Sequence, residues 1–191
     1  MNDEFLNQSQ KKLYDSIKKI YRKVSLTIDE KFNRSVSFGD IFNDRWERAK
    51  SLNFGENSSV YDNVLVIGNV SVGKDVWVGP NVILDGSGNL NIGDHCTISS
   101  GVHIYTHDNI KKTLLPSKYE IERDRVNIDN NCYIGPNSII SKGVNISSYC
   151  IIAANSFVNK SFDSYSIIAG TPAKKIGHVL ISKNKIEFKY D

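Results

Sequence analysis

The fold is decided by one stretch, which reads from residue 126 to residue 161 VNIDNNCYIGPNSIISKGVNISSYCIIAANSFVNKS. An aliphatic residue recurs in it at every sixth position, from Ile128 to Val158. The same register extends back from Ile104 to Val60, interrupted by two extra residues after position 84 and by a polar segment after Ile104. The positions that share the register are Val60, Val66, Val72, Val78, Leu84, Ile92, Ile98, Ile104, Ile128, Ile134, Ile140, Ile146, Ile152 and Val158.

A second small or apolar residue follows most of these positions after four residues, and Gly, Asn, Asp and Pro lie between the two. A period of six fits neither an amphipathic helix nor a hairpin sheet. It is typical of a parallel β-helix, in which each short strand ends at a corner and three strands complete one coil. The length of the single register disfavours the alternative, a Val-rich β-sandwich. The second positions are Val64, Val70, Val76, Val82, Cys96, Val102, Cys132, Ser138, Val144, Cys150 and Ser156.

Repeated units such as Val78-Gly79-Pro80-Asn81-Val82 and Ile134-Gly135-Pro136-Asn137-Ser138 resemble those of the hexapeptide-repeat acyltransferases. The resemblance covers roughly residues 60–177. It is closest to the sugar and polysaccharide O-acetyltransferases, a group similar to the maltose and galactoside acetyltransferases. It implies a mainly β fold built as a left-handed parallel β-helix, a homotrimer, and acetyl-CoA as the acyl donor. The period alone indicates only a coil.

The composition suits one domain with appendages, since the chain has 191 residues, 40% of them hydrophobic, and a net charge of +3. The mild charge supports small anionic ligands, and no aromatic-basic platform indicates nucleic-acid binding. No apolar run approaches the length of a membrane span, and residues 1–10 contain no apolar signal core. These features predict a cytoplasmic protein.

The cysteines, Cys96, Cys132 and Cys150, all occupy second inward positions of the repeat. Free cysteine commonly fills small buried spaces. The odd count argues against a disulfide framework, and neither Cys-x-x-Cys nor a Cys/His metal spacing occurs. We therefore expect buried free thiols and no metal site.

Three regions are predicted: an N-terminal helical and cap region over residues 1–59, the β-helix over 60–168 with a protruding loop over 105–126, and a C-terminal turn and tail over 169–191. Within the tail, alternating apolar residues on either side of Lys183-Asn184 predict a final hairpin.

The N-terminal region contains apolar residues at three- and four-residue spacing that predict a helix over residues 4–24. A connector or short strand is expected over 26–33, and a second helix over 40–51 that closes the end of the coil. Lysines line the rest of the first helix, so it has the pattern of a membrane-surface element. Packing against the coil or a neighbouring subunit is favoured, because the apolar face lacks Trp.

Among the histidines, His95 lies at a corner, His103 should face outward between two inward residues, and His178 is in the tail. His107 lies where the coil gives way to the loop, in Tyr105-Thr106-His107-Asp108-Asn109. This segment resembles the place where the acetyltransferase family has its catalytic histidine.

Asp108 marks the failure of the repeat, because it occupies the second inward position of the hexad that Ile104 begins. A buried unpaired carboxylate is costly, so the chain must leave the coil here. Acyl transfer to a sugar needs a group that removes the hydroxyl proton during attack. A neutral imidazole, whose unperturbed pKa is about 6.5, suits that task. We predict that His107 is the general base and that Asp108 or a main-chain carbonyl fixes its tautomer.

Acceptor-binding candidates lie near the histidine in the repeat: Asn81, Asp85 and Tyr105. Asn81 and Asp85 stand where relatives place polar residues that orient the acceptor. Both also suit corners for reasons of backbone conformation, so the structural role stays open for each.

The resemblance places the donor site along the late coils, with the pantetheine arm of CoA between neighbouring subunits. Small residues there let a thin chain approach main-chain amides, and lysines would meet the phosphates as point charges. Some relatives have Arg in place of these lysines. The matching positions are Gly135, Ala153, Ala154, Asn159, Lys160, Thr171, Lys174 and Lys175.

The predicted function is an acetyl-CoA-dependent O-acetyltransferase that acts on a sugar in capsule, lipopolysaccharide or other glycan synthesis. An N-acetyltransferase on a nucleotide-linked amino sugar is the first rival, since an amine needs less help from a base. The second is an inert scaffold or a carbonic-anhydrase-like metal trimer, for which His103 and His107 are the candidate ligands.

Overall fold

The computed structural model describes residues 5–183 and 185–191. Its internal contacts divide the chain into two compact units, Met1–Asp44 and Arg45–Asp191. Glu4, where the first predicted helix starts, and Asn184, at the turn of the predicted hairpin, lie outside the described residues.

The first unit contains α1, Gln8–Phe32, and α2, Phe38–Phe42. Asn7 caps α1 by accepting a hydrogen bond from the Gln10 main-chain N–H at 3.0 Å, and the Gln10 side chain accepts one from the Asn7 N–H at 3.0 Å. In the part of the chain that the structure describes, no helix is long and apolar enough to cross a membrane.

The expected connector over residues 26–33 is wrong, because α1 continues to Phe32. Ile28 extends the apolar spacing past Val24, and neither Gly nor Pro interrupts it. The helix stops at Asn33, which adopts a left-handed conformation (φ 47°) and donates its N–H to the Asp29 carbonyl.

The second unit is a parallel β-helix preceded by a short helix. The elements of this unit are α3 Arg45–Ser51, β1 Ser59–Val60, β2 Leu65–Val72, β3 Trp77–Val78, β4 Ile83–Ile92, β5 Thr97–Ile98, β6 His103–Ile104, β7 His107–Asp108, α4 Ile110–Leu114, β8 Glu122–Arg123, β9 Val126–Ile128, β10 Tyr133–Ile134, β11 Ile139–Ile140, β12 Asn145–Ile146, β13 Ile151–Ile152, β14 Phe157–Val158, β15 Ser166–Gly170, β16 Ala173–Ser182 and β17 Lys185–Tyr190.

The strands stack on three faces. The first face has the order β1-β3-β5-β10-β13-β15. The second is formed by the first halves of β2 and β4 followed by β6, β11 and β14, and the third by the second halves of β2 and β4 followed by β9 and β12. Tyr133 pairs with Ile151, so one regular coil takes eighteen residues, as the repeat predicts.

The core is the column of aliphatic side chains inside the coil, and it confirms the register. Every predicted first inward residue is buried except Val66, which is half-buried. Each therefore stacks on its counterpart one coil away. Cys96, Cys132 and Cys150 are buried free thiols in this column, as expected.

Both ends of the coil are covered. At the start, α3 buries Ala49, and Arg48 donates to the main-chain carbonyls of Tyr61 and Val64. The helix expected over 40–51 is thus two helices, α2 and α3. At the other end, β15 pairs antiparallel with β16 and β16 with β17, so the predicted hairpin forms, and its first strand begins at Ala173.

The large interruption leaves the coil after Ile104 and returns at Val126 on the third face. Its base is the two-stranded ribbon β7–β8, and α4 lies between the two strands. Asp108 sits in the ribbon, half-exposed, and not inside the core. The prediction that the chain leaves the coil at this carboxylate is therefore confirmed.

If stacking inside the coil stabilises the fold, Ile134→Ala should lower the free energy of unfolding by about 2–5 kcal/mol, because Ile134 is fully buried. Ile110→Ala, in the loop helix, makes the same chemical change at an exposed residue and should stay within about 0.5 kcal/mol. Denaturant titration followed by circular dichroism measures both. Equal losses in the two variants would contradict the stacked core.

Candidate active site

The site lies at the corner between the second and third faces. There β4 carries the two extra residues of its coil, and in the next coil the chain leaves β6 for the loop. β2 and β4 pair on both sides of this corner, with a register shift between Gly68 and Val70. The corner is wide enough for a polar cluster to form under the base of the loop.

Asp85 is the centre of this cluster and is fully buried. One carboxylate oxygen, Oδ1, accepts hydrogen bonds from the Ser87 main-chain N–H at 3.0 Å and from the Ser87 hydroxyl at 2.5 Å. The other, Oδ2, accepts from the Thr106 N–H at 2.8 Å. The Thr106 hydroxyl in turn accepts from the Gly88 N–H at 2.7 Å. A buried charge is tolerated here because donors surround it.

His107 contacts the same carboxylate, with 2.7 Å between its Nδ1 and Asp85 Oδ2. Burial by itself would raise the pKa of Asp85, but the hydrogen bonds from Ser87, Thr106 and His107 together bring it below its usual value. An ionised carboxylate only accepts hydrogen bonds, so Nδ1 carries the hydrogen in neutral His107. Nε2 then has a free lone pair, on a side chain that is 36% exposed. This arrangement can take a proton from a bound molecule.

Gly88 allows the loop base to lie close to the coil. A Cβ atom at this position would come 2.5 Å from the Thr106 carbonyl oxygen and 2.9 Å from the Asp124 main-chain nitrogen. Both neighbours are backbone atoms that hold the loop, since the Asp124 N–H donates to the Thr106 carbonyl at 2.9 Å. Any larger residue would push the ribbon away from Asp85.

The prediction that Asp108 or a main-chain carbonyl holds the His107 ring is wrong, because Asp85 contacts Nδ1. The Asp108 carboxylate lies 3.2 Å from Lys142 Nζ, which also contacts Glu122 at 2.9 Å. Lys111 also pairs with Glu122, and these hydrogen bonds lower the pKa of Glu122. Asp108 therefore helps to tie the loop base to the coil, and Asp85 holds the imidazole.

The three residues that were predicted to bind the acceptor lie in different environments. Asp85 is buried beneath His107, so it is placed to support the imidazole and not to touch an acceptor. Asn81 stands at a different corner, with positive φ, and its side-chain Oδ1 accepts from Asn63 at 2.6 Å. Tyr105 lies beside the site, with its hydroxyl 3.4 Å from His103 Nδ1.

The structure places the predicted donor-binding residues at two different corners of the coil. Gly135, Ala153, Ala154 and Thr171 follow the first face in successive coils, and a Cβ at Gly135 would come 2.6 Å from the Ala154 nitrogen. They form a strip of small residues at the corner before the second face, with Lys174 and Lys175 exposed on the adjoining β16.

Asn159 and Lys160 follow β14, so they lie at the corner after the second face, the same corner as His107. Lys160 Nζ lies 5.5 Å from the centre of the Phe162 ring. In one chain, the small-residue strip and His107 therefore stand at opposite edges of the second face.

Sequence reasoning missed Ser87, Gly88 and Thr106. The available signal was the insertion Asp85-Gly86-Ser87-Gly88-Asn89, which contains the two extra residues that interrupt the repeat. Over the described ranges, no group of three or more His, Cys, Asp or Glu side chains is arranged to hold a metal ion.

Sequence comparison supports this description. The family described as hexapeptide repeat of succinyl-transferase matches residues 69–106 and 125–160. The gap between the two matches is the loop. The chain is 50% identical to protein CapG of Staphylococcus aureus over 99 residues, which are 51% of this chain and 57% of CapG. It thus spans little more than half the length of that relative.

Solved structures show the same architecture, a left-handed parallel β-helix. AntD, an N-acyltransferase from Bacillus cereus in complex with dTDP and 3-hydroxybutyryl-CoA, is 25% identical with a TM-score of 0.60, over 65% of this chain and 71% of AntD. A galactoside acetyltransferase in complex with coenzyme A is 24% identical with a TM-score of 0.65, over 85% of this chain and 82% of that enzyme.

The buried carboxylate predicts how stability depends on pH. Because the pKa of Asp85 is lower in the folded than in the unfolded chain, its ionised form stabilises the fold fully above about pH 4 and progressively less as pH falls. Asp85→Asn should cost about 1–3 kcal/mol or more at pH 7, since it replaces one buried acceptor oxygen by an NH2 group that faces other donors.

The difference in unfolding free energy between the wild type and Asp85→Asn should become smaller as the pH is lowered from about 5 to about 3. Denaturant titrations at each pH measure it, and Asp129→Asn, which removes an exposed carboxylate, is the control. A difference that does not change with pH would contradict an ionised, hydrogen-bonded Asp85.

Proposed function

We propose that this chain, which matches the hexapeptide-repeat family over residues 69–106 and 125–160, transfers an acetyl group from acetyl-CoA to a hydroxyl of a sugar, with His107 as the general base. The observation that carries the proposal is the contact between buried Asp85 and His107 Nδ1, which leaves Nε2 with a free lone pair on a half-exposed side chain. The likeness to a galactoside acetyltransferase supports a sugar hydroxyl as acceptor.

Transfer proceeds directly between the two bound substrates. The acceptor hydroxyl oxygen attacks the thioester carbon while Nε2 of His107 takes the hydroxyl proton. The C–S bond then breaks, and the imidazolium returns the proton to the departing CoA thiolate. The Asp85 carboxylate keeps the hydrogen on Nδ1 and stabilises the imidazolium between these two steps.

The donor binds along the strip formed by Gly135, Ala153, Ala154 and Thr171. Small side chains leave main-chain amides accessible to the pantetheine arm, and Lys174 and Lys175 face solvent beside the strip, where they meet phosphates. Asn159 and Lys160 lie at the corner of His107, where they contact the acyl end of a donor bound to an adjacent subunit.

A homotrimer completes the site. The strip and His107 occupy opposite edges of the second face, so neighbouring chains related by rotation bring the strip of one to the histidine of the next. The acceptor belongs to a glycan pathway, such as capsule or lipopolysaccharide synthesis. Acetyl-CoA and free thiols are characteristic of the cytoplasm, where we place the reaction.

An N-acyltransferase that acts on a nucleotide-linked amino sugar is the second candidate. The likeness to AntD, at 25% identity, favours it. A neutral amine is more nucleophilic than a hydroxyl and depends less on a base, so removal of His107 would have a milder effect on this reaction.

His107→Ala should reduce kcat by about 10²- to 10⁴-fold, because the hydroxyl proton loses its acceptor. Binding of acetyl-CoA, measured by calorimetry, should be unchanged. The control is His178→Ala, which removes an exposed histidine of β16 and should keep full activity. Steady-state rates with matched hydroxyl and amino sugars distinguish the two candidate functions. If His107→Ala acetylates the hydroxyl sugar as fast as the wild type does, His107 is not the general base. If the wild type prefers the amino sugar, N-transfer is favoured.

Subunit sharing predicts complementation. His107→Ala has an intact donor strip, and Ala154→Arg, which fills the exposed strip, has an intact histidine. Trimers reassembled at random from equal amounts of the two inactive variants should recover about a quarter of the wild-type rate, since one interface in four combines both intact halves. Each variant reassembled alone is the control. A mixture that stays inactive would place both halves of the site in one chain.

A further inference from the structure

The ribbon β7–β8 has two faces that differ in charge. Its strands are antiparallel, with Asp108 opposite Glu122 and His107 opposite Arg123. Residues directly opposite each other in such a ladder point to the same side, and neighbours along a strand point to opposite sides. One side of the ribbon thus carries two carboxylates, and the other carries the imidazole and a guanidinium.

The acidic side is neutralised by lysines. Lys142 lies 3.2 Å from the Asp108 carboxylate and 2.9 Å from that of Glu122, and Lys111 also pairs with Glu122. The carboxylates raise the pKa of Lys142, which keeps it charged. These ion pairs fasten the ribbon to the corner that contains Lys142 and leave little net charge on that side.

On the other side, the carboxylate that contacts His107, that of Asp85, is buried and also accepts hydrogen bonds from Ser87 and Thr106. Arg123 is exposed, and within residues 5–183 and 185–191 its guanidinium forms no salt bridge. The acid that acts on it electrostatically, Glu120, is already paired with Lys112 at 2.8 Å. The hydrogen bond from the Asp124 N–H to Thr106 fixes the backbone beside Arg123. Arg123 is therefore a positioned, uncompensated cation beside the proposed base.

We propose that Arg123 binds an anionic group of the acceptor, a phosphate or a carboxylate, and so sets the class of sugar that the enzyme accepts. The inference deepens the proposed function and rests on it. A guanidinium presents its donors in a planar fork that fits either oxyanion bidentately, while the reacting hydroxyl or amine lies at Nε2 of His107. Arg123 acts as a specificity residue and takes no part in the proton transfer.

The experiment compares Arg123→Gln with the wild type on three acceptors: a dTDP-linked hexose, a methyl hexuronoside and a neutral methyl hexoside. For the anionic acceptor that the wild type uses, KM should rise about tenfold or more, since a charge-assisted hydrogen bond is lost. The kcat value, the KM of acetyl-CoA and the kinetics of the neutral hexoside should change little. An effect on the dTDP-linked hexose indicates that Arg123 binds a phosphate, and an effect on the methyl hexuronoside indicates that it binds a carboxylate.

Arg125→Gln is the matched control, because it removes the next exposed arginine, which does not pair with His107. Arg123→Lys should recover part of the effect as a point charge. An equal loss on all three acceptors, or a higher KM for acetyl-CoA, would overturn the proposal.

Failure of the proposed function itself is recognisable, because the wild type would then modify none of the three acceptors. In that case calorimetry with dTDP and with glucuronate still tests the anion site. Binding by the wild type that weakens in Arg123→Gln supports the site, whereas equal or absent binding overturns it.

Discussion

The structure depends on the stacking of one aliphatic side chain on its counterpart in the next coil. Each inward residue, such as Ile134 between Ile98 and Ile152, contacts neighbours that lie a full coil away in sequence. A solenoid has no other core, so its strands of two residues persist only where this column continues. Burial of the column fixes the register, and the register fixes which residues stand at each corner.

The candidate site exists because the register is relaxed at one corner in two consecutive coils. Two extra residues in β4 make room for a polar cluster, and the departure of the chain after Ile104 covers it. Asp85 is buried there at little cost, since main-chain and hydroxyl donors satisfy it. A regular corner would offer neither the space nor those donors.

The same reasoning separates what the sequence could predict from what it could not. Periodicity predicted the core and, through Asp108, the point where the chain leaves the coil. It could not identify the partner of His107, because Asp108 is adjacent in sequence, whereas Asp85 becomes adjacent only when the two coils stack. The full length of α1 was missed although Ile28 continues its apolar spacing, because neither Gly nor Pro marks its end and Asn33 ends it only through its conformation.

Stacking also limits what one chain can do. Corners of one column stay in line along the coil, so the small-residue strip and His107 remain separated by the width of the second face. Flexibility does not close that distance, because each coil is held by the coils on either side. The loop extends away from the coil, and its ribbon carries His107 and Arg123 on one side. In the proposed mechanism, a second chain therefore brings the strip to the histidine, and the loop contributes the residue that selects the acceptor.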